Sequence, residues 1–289
     1  MSMECIGKQQ LNIIANQLSR KVTDKYKYLF LDIDGTIITN DGICNPSILK
    51  CVKLLKDKKW NISVATGRSI CESKAVLSQL IPNMPVICSN GQILYDNDKN
   101  TILKCTYMDV ELHSLITKIP QHIYIAIDVG DSIIANSKFM ATILKMYFGI
   151  DIKNIFISHE IPIKEITKIY FCSPKNEVDF LSKIESILTD TSKTDYSMQK
   201  FDSIIAVSSG TVSKGKAMEE LSLFYELAID RTIFIGDGDN DIELLKNVGC
   251  GITLQNATEK AKKAADIVVP IDSIQGVIWI LSKLLSSIN

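Results

Sequence analysis

The stretch YLFLDIDGTI, residues 28–37, joins an apolar run directly to two aspartates that are one residue apart. Its first four residues form a continuous apolar run, which is typical of a strand buried on both faces of a parallel sheet. Gly35 permits a turn after the strand, and Thr36 can cap that turn or hydrogen-bond a ligand oxygen. We therefore expect Asp32 and Asp34 to lie at the carboxyl end of a buried strand.

Strands and helices alternate on both sides of this stretch. In residues 46–58, Ile48, Val52 and Leu55 fall on one stripe, which predicts a helix. The same reasoning predicts strands in 61–68, 85–91, 231–235, 250–255 and 266–270, and helices in 69–80, 256–265 and 273–288. This alternation predicts an α/β fold, with a mostly parallel sheet and helices on both sides.

The middle of the chain has a different pattern, because strands there follow strands and helices lie between the groups. We predict that residues 92–208 form an inserted α+β domain, and that residues 1–91 and 209–289 form the α/β core. Residues 1–26 precede the first strand as an extension. Within them, Leu11, Ile14, Leu18 and Val22 have the spacing of a short amphipathic helix.

Composition narrows the classes of function. The 289 residues carry 32 basic and 33 acidic side chains, a net charge of -1 that argues against a nucleic-acid-binding surface. No apolar run reaches the roughly 18 residues that a membrane-spanning helix needs, and the N-terminus lacks the features of a signal peptide. The eight scattered cysteines indicate reduced thiols, so we expect a cytoplasmic protein. Its oligomeric state is not indicated.

Polar residues follow three of the predicted core strands, at Asp32 with Asp34, at Thr66 and at Asp237. Ligands of open α/β sheets bind at the carboxyl ends of the strands, so these side chains are expected to converge. Asp241 lies near the start of the helix after Asp237. Several carboxylates without histidine are the ligands that Mg²⁺ prefers, and they do not indicate zinc.

Such a site suits phosphoryl transfer. A carboxylate beside Mg²⁺ can attack phosphorus and form an aspartyl-phosphate, and a second carboxylate can move protons. Thr66, Gly67 and Arg68 precede a predicted helix, where a hydroxyl and free backbone N–H groups suit a phosphate. Lys214 and Lys216 lie at another helix start, and either can supply positive charge.

Four motifs in this order, DIDGT, TGR, SKGKA and GDGDND, resemble those of the haloacid dehalogenase superfamily of phosphotransferases. The large insert between the second and third motifs is similar to that of the Cof-like phosphatases, the branch with a type C2 cap. The C-terminal residues 251–281 also resemble the ending of that branch. The resemblance extends from about Lys27 to the end of the chain, and it implies a Rossmann-like core with an inserted cap.

The resemblance also implies a role for each motif residue. Asp32 is expected to be the nucleophile and a metal ligand. Asp34 is expected to be the general acid and base, and to bind the metal through its backbone carbonyl. Asp237 is expected to bind the metal, and Asp241 to support it directly or through water. Thr66 and Lys214 are expected to hold the phosphoryl group, and Asn240 to lie close by. Gly67 and Arg68, at the helix start, complete the predicted phosphate-binding residues, where Arg68 can contact either the substrate or a nearby carboxylate. Family register favours Lys214 over Lys216.

These features lead us to expect a Mg²⁺-dependent phosphatase acting on a small phosphorylated metabolite, a sugar phosphate or a cofactor phosphate. A phosphohexomutase similar to the phosphomannomutases is one alternative, and a non-catalytic binding protein with the same fold is another. The chain departs from the family at Gln92, because the family often has Asn-Gly-Ala where this chain has Asn90-Gly91-Gln92.

Overall fold

The computed structural model describes residues 11–18, 26–38, 43–109, 115, 118–158, 165–174, 179–191 and 195–287. The chain forms two units. The first contains residues 1–67, 75–101 and 213–289, and the second contains residues 68–74 and 102–212. The predicted division at residues 92 and 208 stays a prediction.

The strands in chain order are β1 Tyr28–Leu31, β2 Asn61–Val64, β3 Val86–Cys88, β4 Ile93–Asp96, β5 Thr101–Cys105, β6 Tyr124–Asp128, β7 Ile133–Ala135, β8 Ile155–Ile157, β9 Lys168–Cys172, β10 Tyr196–Phe201, β11 Ile204–Ser209, β12 Thr232–Ile235, β13 Cys250–Leu254 and β14 Ile267–Val269. The helices are α1, whose described residues are 11–18, α2 Pro46–Asp57, α3 Ile70–Leu80, α4 Lys138–Phe148, α5 Phe180–Thr191, α6 Lys214–Tyr225, α7 Ile242–Asn247, α8 Glu259–Ala264 and α9 Ser273–Ser286.

The first unit is built on a parallel sheet with the strand order β14-β13-β12-β1-β2. β1 lies between β12 and β2, so that Tyr28 pairs with Thr232 on one side and Asn61 on the other. Leu29, Phe30 and Leu31 are fully buried, as expected for a strand covered on both faces. The prediction of an α/β core with a parallel sheet is confirmed.

Helices cover this sheet with apolar stripes. One core cluster joins Phe30 and Phe234 of the sheet to Leu221 of α6, Leu244 of α7 and Ala261 of α8. α2 begins at Pro46, where the Asn45 side chain accepts a hydrogen bond from Ser47 N at 2.9 Å, and it buries the predicted stripe Ile48, Val52 and Leu55.

The described residues of the N-terminal extension include a helical segment, residues 11–18. Ile14 and Leu18 are buried there, in agreement with the predicted apolar stripe. Val22, the last member of that stripe, lies outside the described residues. Within the described ranges, each helix is either too short or too polar to cross a bilayer.

The second unit contains a six-stranded sheet with the order β10-β11-β9-β6-β7-β8. Its strand pairs are antiparallel except for β7 with β8. One apolar cluster joins this sheet to α5, and a second cluster joins it to α4. The α+β character expected for the inserted domain is therefore present.

A buried polar cluster explains why the short segment 68–74 belongs to this second unit. Lys168 Nζ of β9 lies 2.8 Å from Glu72 Oε2, and Tyr170 OH donates to Glu72 Oε1 at 3.0 Å. Both Lys168 and Glu72 are almost fully buried. The Ser69 side chain accepts a hydrogen bond from Glu72 N at 3.3 Å, so Ser69 caps the start of α3.

Candidate active site

The candidate site lies in the first unit, at the carboxyl ends of the parallel strands. Asp32 follows β1 directly, and its N–H donates to Ile235 O at 2.9 Å, which continues the pairing of β1 with β12. Thr66 follows β2, and its N–H donates to Ile87 O of β3 at 2.8 Å. Each of these residues is therefore held by the backbone of a neighbouring strand, at the edge of the sheet where ligands bind.

Lys214 is the first residue of α6 and it connects two carboxylates. Its Nζ atom lies 2.6 Å from Asp32 Oδ1 and 2.6 Å from Asp241 Oδ1. The side chains of Lys214 and Asp241 are fully buried, and that of Asp32 is 7% exposed. Lys216, the other candidate from the sequence, is exposed, and its N–H donates to the Ser213 side chain at 3.1 Å. The buried ammonium that reaches the carboxylates is that of Lys214.

Three carboxylates form the acidic group of the site. One oxygen each from Asp32, Asp237 and Asp241 lies within 4.8 Å of the other two. Asp241 is oriented by two backbone donors, because its Oδ2 atom accepts from Asp237 N and Gly238 N at 2.9 Å each. A compact set of carboxylate oxygens is a donor set for a hard divalent cation such as Mg²⁺, so these residues fit the metal that the sequence predicts.

The electrostatics of the three carboxylates also favour a bound cation. Burial raises the pKa of Asp32, the ammonium of Lys214 lowers it, and the carboxylate of Asp241 raises it again. The raising effects are larger, so the pKa of Asp32 is about 8. Burial and Asp241 likewise raise the pKa of Asp237 to about 6. Burial alone would lower the pKa of Lys214, but Asp241 and Asp32 outweigh it, so the pKa lies above its usual value. One ammonium does not balance the buried carboxylates, and an added cation would favour their charged forms.

The turn after β1 holds the remaining residues of the first motif. Gly35 has a left-handed φ of +73°, and a Cβ atom there would lie 2.2 Å from Asp237 Oδ2. Thr36 is fully buried, and its hydroxyl donates to Asp237 Oδ1 at 3.4 Å. The Asp34 side chain is exposed, and it does not belong to the three-carboxylate group. Metal binding by the Asp34 backbone carbonyl stays a prediction.

The predicted phosphate-binding residues are divided between different parts of the structure. Thr66 is fully buried, and Gly67 follows it beside Asn90 and Asn240. Arg68 belongs to the segment 68–74 of the second unit, where its Nη1 atom donates to Glu72 O at 3.4 Å. Contact of these residues with a phosphate stays a prediction.

Asn90 belongs to the site, although the sequence alone did not indicate this. Asn240 Nδ2 donates to Asn90 Oδ1 at 2.8 Å, so Asn90 contacts the acidic turn directly. The sequence feature that could have indicated Asn90 is the Asn-Gly pair at the end of the third strand. This pair follows β3 in the same way that the polar residues of the site follow β1 and β2.

Comparisons with known proteins identify the family of this chain. Residues 29–281 match the family model of the haloacid dehalogenase-like hydrolases. A phosphoglycolate phosphatase of Methanopyrus kandleri is 27% identical over 261 residues, which cover 89% of this chain and 97% of that protein. A 5-amino-6-(5-phospho-D-ribitylamino)uracil phosphatase of Bacillus subtilis is 24% identical, and the match covers 90% of this chain and 98% of the relative.

A solved structure of a sugar phosphatase of haloacid dehalogenase subclass IIB has the same fold, with a TM-score of 0.65 and 19% identity. That similarity covers 84% of this chain and 92% of the solved one. The family model spans most of the chain, including all four motifs and the segment between them. The chain therefore belongs to the haloacid dehalogenase-like hydrolases, within their Cof-like branch.

Proposed function

We propose that this protein is a Mg²⁺-dependent phosphatase that hydrolyses phosphate monoesters of small metabolites through an aspartyl-phosphate. The observation that carries the proposal is the position of Asp32. It lies at the end of the central strand, nearly buried, with Oδ1 held at 2.6 Å by Lys214. A carboxylate restrained in this way keeps its second oxygen, Oδ2, for attack on phosphorus.

The first chemical step transfers the phosphoryl group to Asp32. Oδ2 forms a bond to phosphorus while the bond from phosphorus to the ester oxygen breaks, and the leaving oxygen takes a proton. Asp34 is two residues away and exposed, so its carboxyl group can deliver that proton and exchange it with solvent.

The second step returns the enzyme to its starting state. Asp34 now accepts a proton from a water molecule, and the water oxygen attacks phosphorus. The bond between phosphorus and Asp32 Oδ2 breaks, which releases inorganic phosphate and restores the carboxylate. Lys214 keeps its positive charge throughout, because two buried carboxylates raise its pKa.

The proposed metal ligands are Asp32, Asp237 and Asp241, together with the backbone carbonyl of Asp34. When bound, Mg²⁺ supplies positive charge that shields the approach of an anionic phosphate to a carboxylate. Asp241 holds its place through its contacts with Lys214 and with two backbone N–H groups. The proposed contacts of the phosphate are Thr66, Gly67, Arg68, Lys214 and Asn240.

We propose sugar phosphates as the first substrate class and cofactor phosphates as the second. The relatives support this choice, since two of them are named for a sugar phosphate or for a phosphoribityl compound. We place the reaction in the cytoplasm, where thiols stay reduced. Cys51, Cys71, Cys105 and Cys172 carry thiols and not disulfides, which is compatible with that compartment.

The test is a hydrolysis screen over a panel of phosphorylated metabolites, with Mg²⁺ and with chelator, on the wild type and on Asp32→Asn. The variant removes the nucleophilic oxygen with little change in shape. We expect phosphate release that requires Mg²⁺ and that Asp32→Asn abolishes. Release by Asp32→Asn at the wild-type rate would refute the assignment of the nucleophile. A strict requirement for a bisphosphate activator would favour the phosphohexomutase instead.

A further inference from the structure

The segment after β3 has an unusual backbone and lies next to two of the four motifs. Ser89, Asn90 and Gly91 have φ values of 49°, 55° and 98°. Such a run is rare, because residues other than glycine disfavour the left-handed region. Asparagine is one of the few residues that adopt it readily. Backbone strain of this kind persists where surrounding contacts impose it, and it is concentrated at functional sites.

Asn90 contacts the loop of the second motif through its backbone and its side chain. Its N–H donates to Thr66 O at 3.0 Å. Its amide also packs closely on Gly67, because a Cβ atom on that glycine would lie 3.0 Å from Asn90 Oδ1. The Thr66–Gly67 loop therefore rests directly on Asn90.

The same side chain contacts the turn of the fourth motif. Asn240 Nδ2 donates to Asn90 Oδ1 at 2.8 Å, across 150 residues of sequence. Asn240 precedes Asp241, the carboxylate that Lys214 pairs with. One amide oxygen thus joins the loop assigned to the phosphate and the turn assigned to the metal.

We propose that Asn90 is a positioning residue that fixes the spacing between the Thr66–Gly67 loop and the Asn240–Asp241 turn. The inference rests on the proposed phosphatase function, because that function requires the two loops to hold one phosphoryl group and one metal ion together. Loss of the Asn90 side chain leaves each loop intact but releases their mutual spacing. Misplacement by about 1 Å costs up to about 100-fold in reactions that depend on alignment.

The test variant is Asn90→Gly, which keeps the left-handed backbone and removes the amide. Its matched control is Asn100→Gly, since Asn100 has a φ of 50° and its side chain accepts a hydrogen bond from Tyr95. Isothermal titration calorimetry measures two affinities of the full chain, for Mg²⁺ alone and for orthovanadate in saturating Mg²⁺. Mg²⁺ alone needs only the acidic group, whereas vanadate, an analogue of the transferring phosphoryl group, needs both loops.

We expect Asn90→Gly to weaken vanadate binding about tenfold, within the range that misalignment produces, and to leave the Mg²⁺ affinity and that of the control unchanged. If Asn90→Gly does not fold, Asn90→Ala is the second variant, because it also removes the amide that accepts from Asn240. It should weaken vanadate binding similarly and leave the Mg²⁺ affinity unchanged.

Equal vanadate affinity in the wild type and Asn90→Gly would overturn the inference, as would an equal loss of Mg²⁺ affinity. These outcomes differ from failure of the proposed function, which would appear as no phosphate release by the wild type. If the wild type bound no vanadate in the presence of Mg²⁺, both proposals would be wrong.

Discussion

The ion pairs of Lys214 give the sharpest quantitative prediction. Lys214→Met keeps the length of the side chain and removes its charge, which leaves Asp32 and Asp241 without their buried cation. Removing one partner of a buried ion pair typically destabilises a protein by about 3–5 kcal/mol, because the remaining charge is neither solvated nor paired. We expect a loss of this size in the free energy of unfolding at pH 8 in EDTA.

The loss should depend on pH in a defined direction. A carboxyl group whose pKa is higher in the folded state binds a proton more tightly there, so its folded state loses stability as pH rises. Burial already raises the pKa of Asp32 to about 8 with Lys214 in place. At pH 5 a proton can replace the missing ammonium, and the difference between Lys214→Met and the wild type should be smaller than at pH 8.

The assay is urea unfolding at both pH values, with Lys216→Met as the matched control. Lys216 is exposed, so its substitution should change the free energy of unfolding by less than about 0.5 kcal/mol. Adding Mg²⁺ should stabilise Lys214→Met, because a cation bound only by the folded protein shifts the equilibrium. A loss below about 1 kcal/mol at pH 8, or an equal loss in the control, would refute the reasoning.

Three further predictions concern single positions. Gly35→Ala should lower the free energy of unfolding by about 1–2 kcal/mol through its left-handed φ and weaken Mg²⁺ binding by displacing Asp237. Gly149→Ala should lower only the free energy of unfolding, because Gly149 has a φ of +66° but a Cβ atom there meets no atom of the described residues within 4 Å. Urea unfolding measures the first effect, and calorimetry with Mg²⁺ measures the second. Burial raises the pKa of Asp128 to about 6, so this group should lower the free energy of unfolding by about 2 kcal/mol as pH rises from 4 to 6. Asp128→Asn should flatten that dependence on pH in urea unfolding. Gln92→Met should raise the free energy of unfolding by about 1–2 kcal/mol. The reason is that the Gln92 amide is buried and has no hydrogen-bond partner among the described residues. An unchanged or lower midpoint of urea unfolding would contradict this prediction.

The fold was largely predictable because its signals are local. The apolar run before Asp32 and the stripe of Ile48, Val52 and Leu55 each reflect burial within one element, and periodicity detects that burial. The order of strands and helices then restricts the sheet to a parallel arrangement. For this reason the sequence could also indicate that Asp32 and Asp237 lie at one edge of the sheet.

Other features of the site were not predictable because they depend on contacts between distant residues. The hydrogen bond between Asn90 and Asn240 links positions 150 residues apart, and neither residue has a local pattern that indicates the other. The double ion pair of Lys214 is of the same kind. Gln92 is polar, and polarity predicts exposure, yet the residue is 1% exposed.

The position of β1 has a consequence for how the protein is made. Tyr28 is paired with Asn61, which leaves the ribosome soon after it, and with Thr232, which leaves the ribosome only after the whole second unit has been synthesised. Throughout that interval one edge of β1 has backbone groups without their eventual partners, next to the apolar side chains of Leu29 and Phe30. An open apolar edge promotes association between chains. The nascent polypeptide therefore passes through a long period of exposure to aggregation, and a chaperone that covers this edge during translation would raise the yield of folded protein.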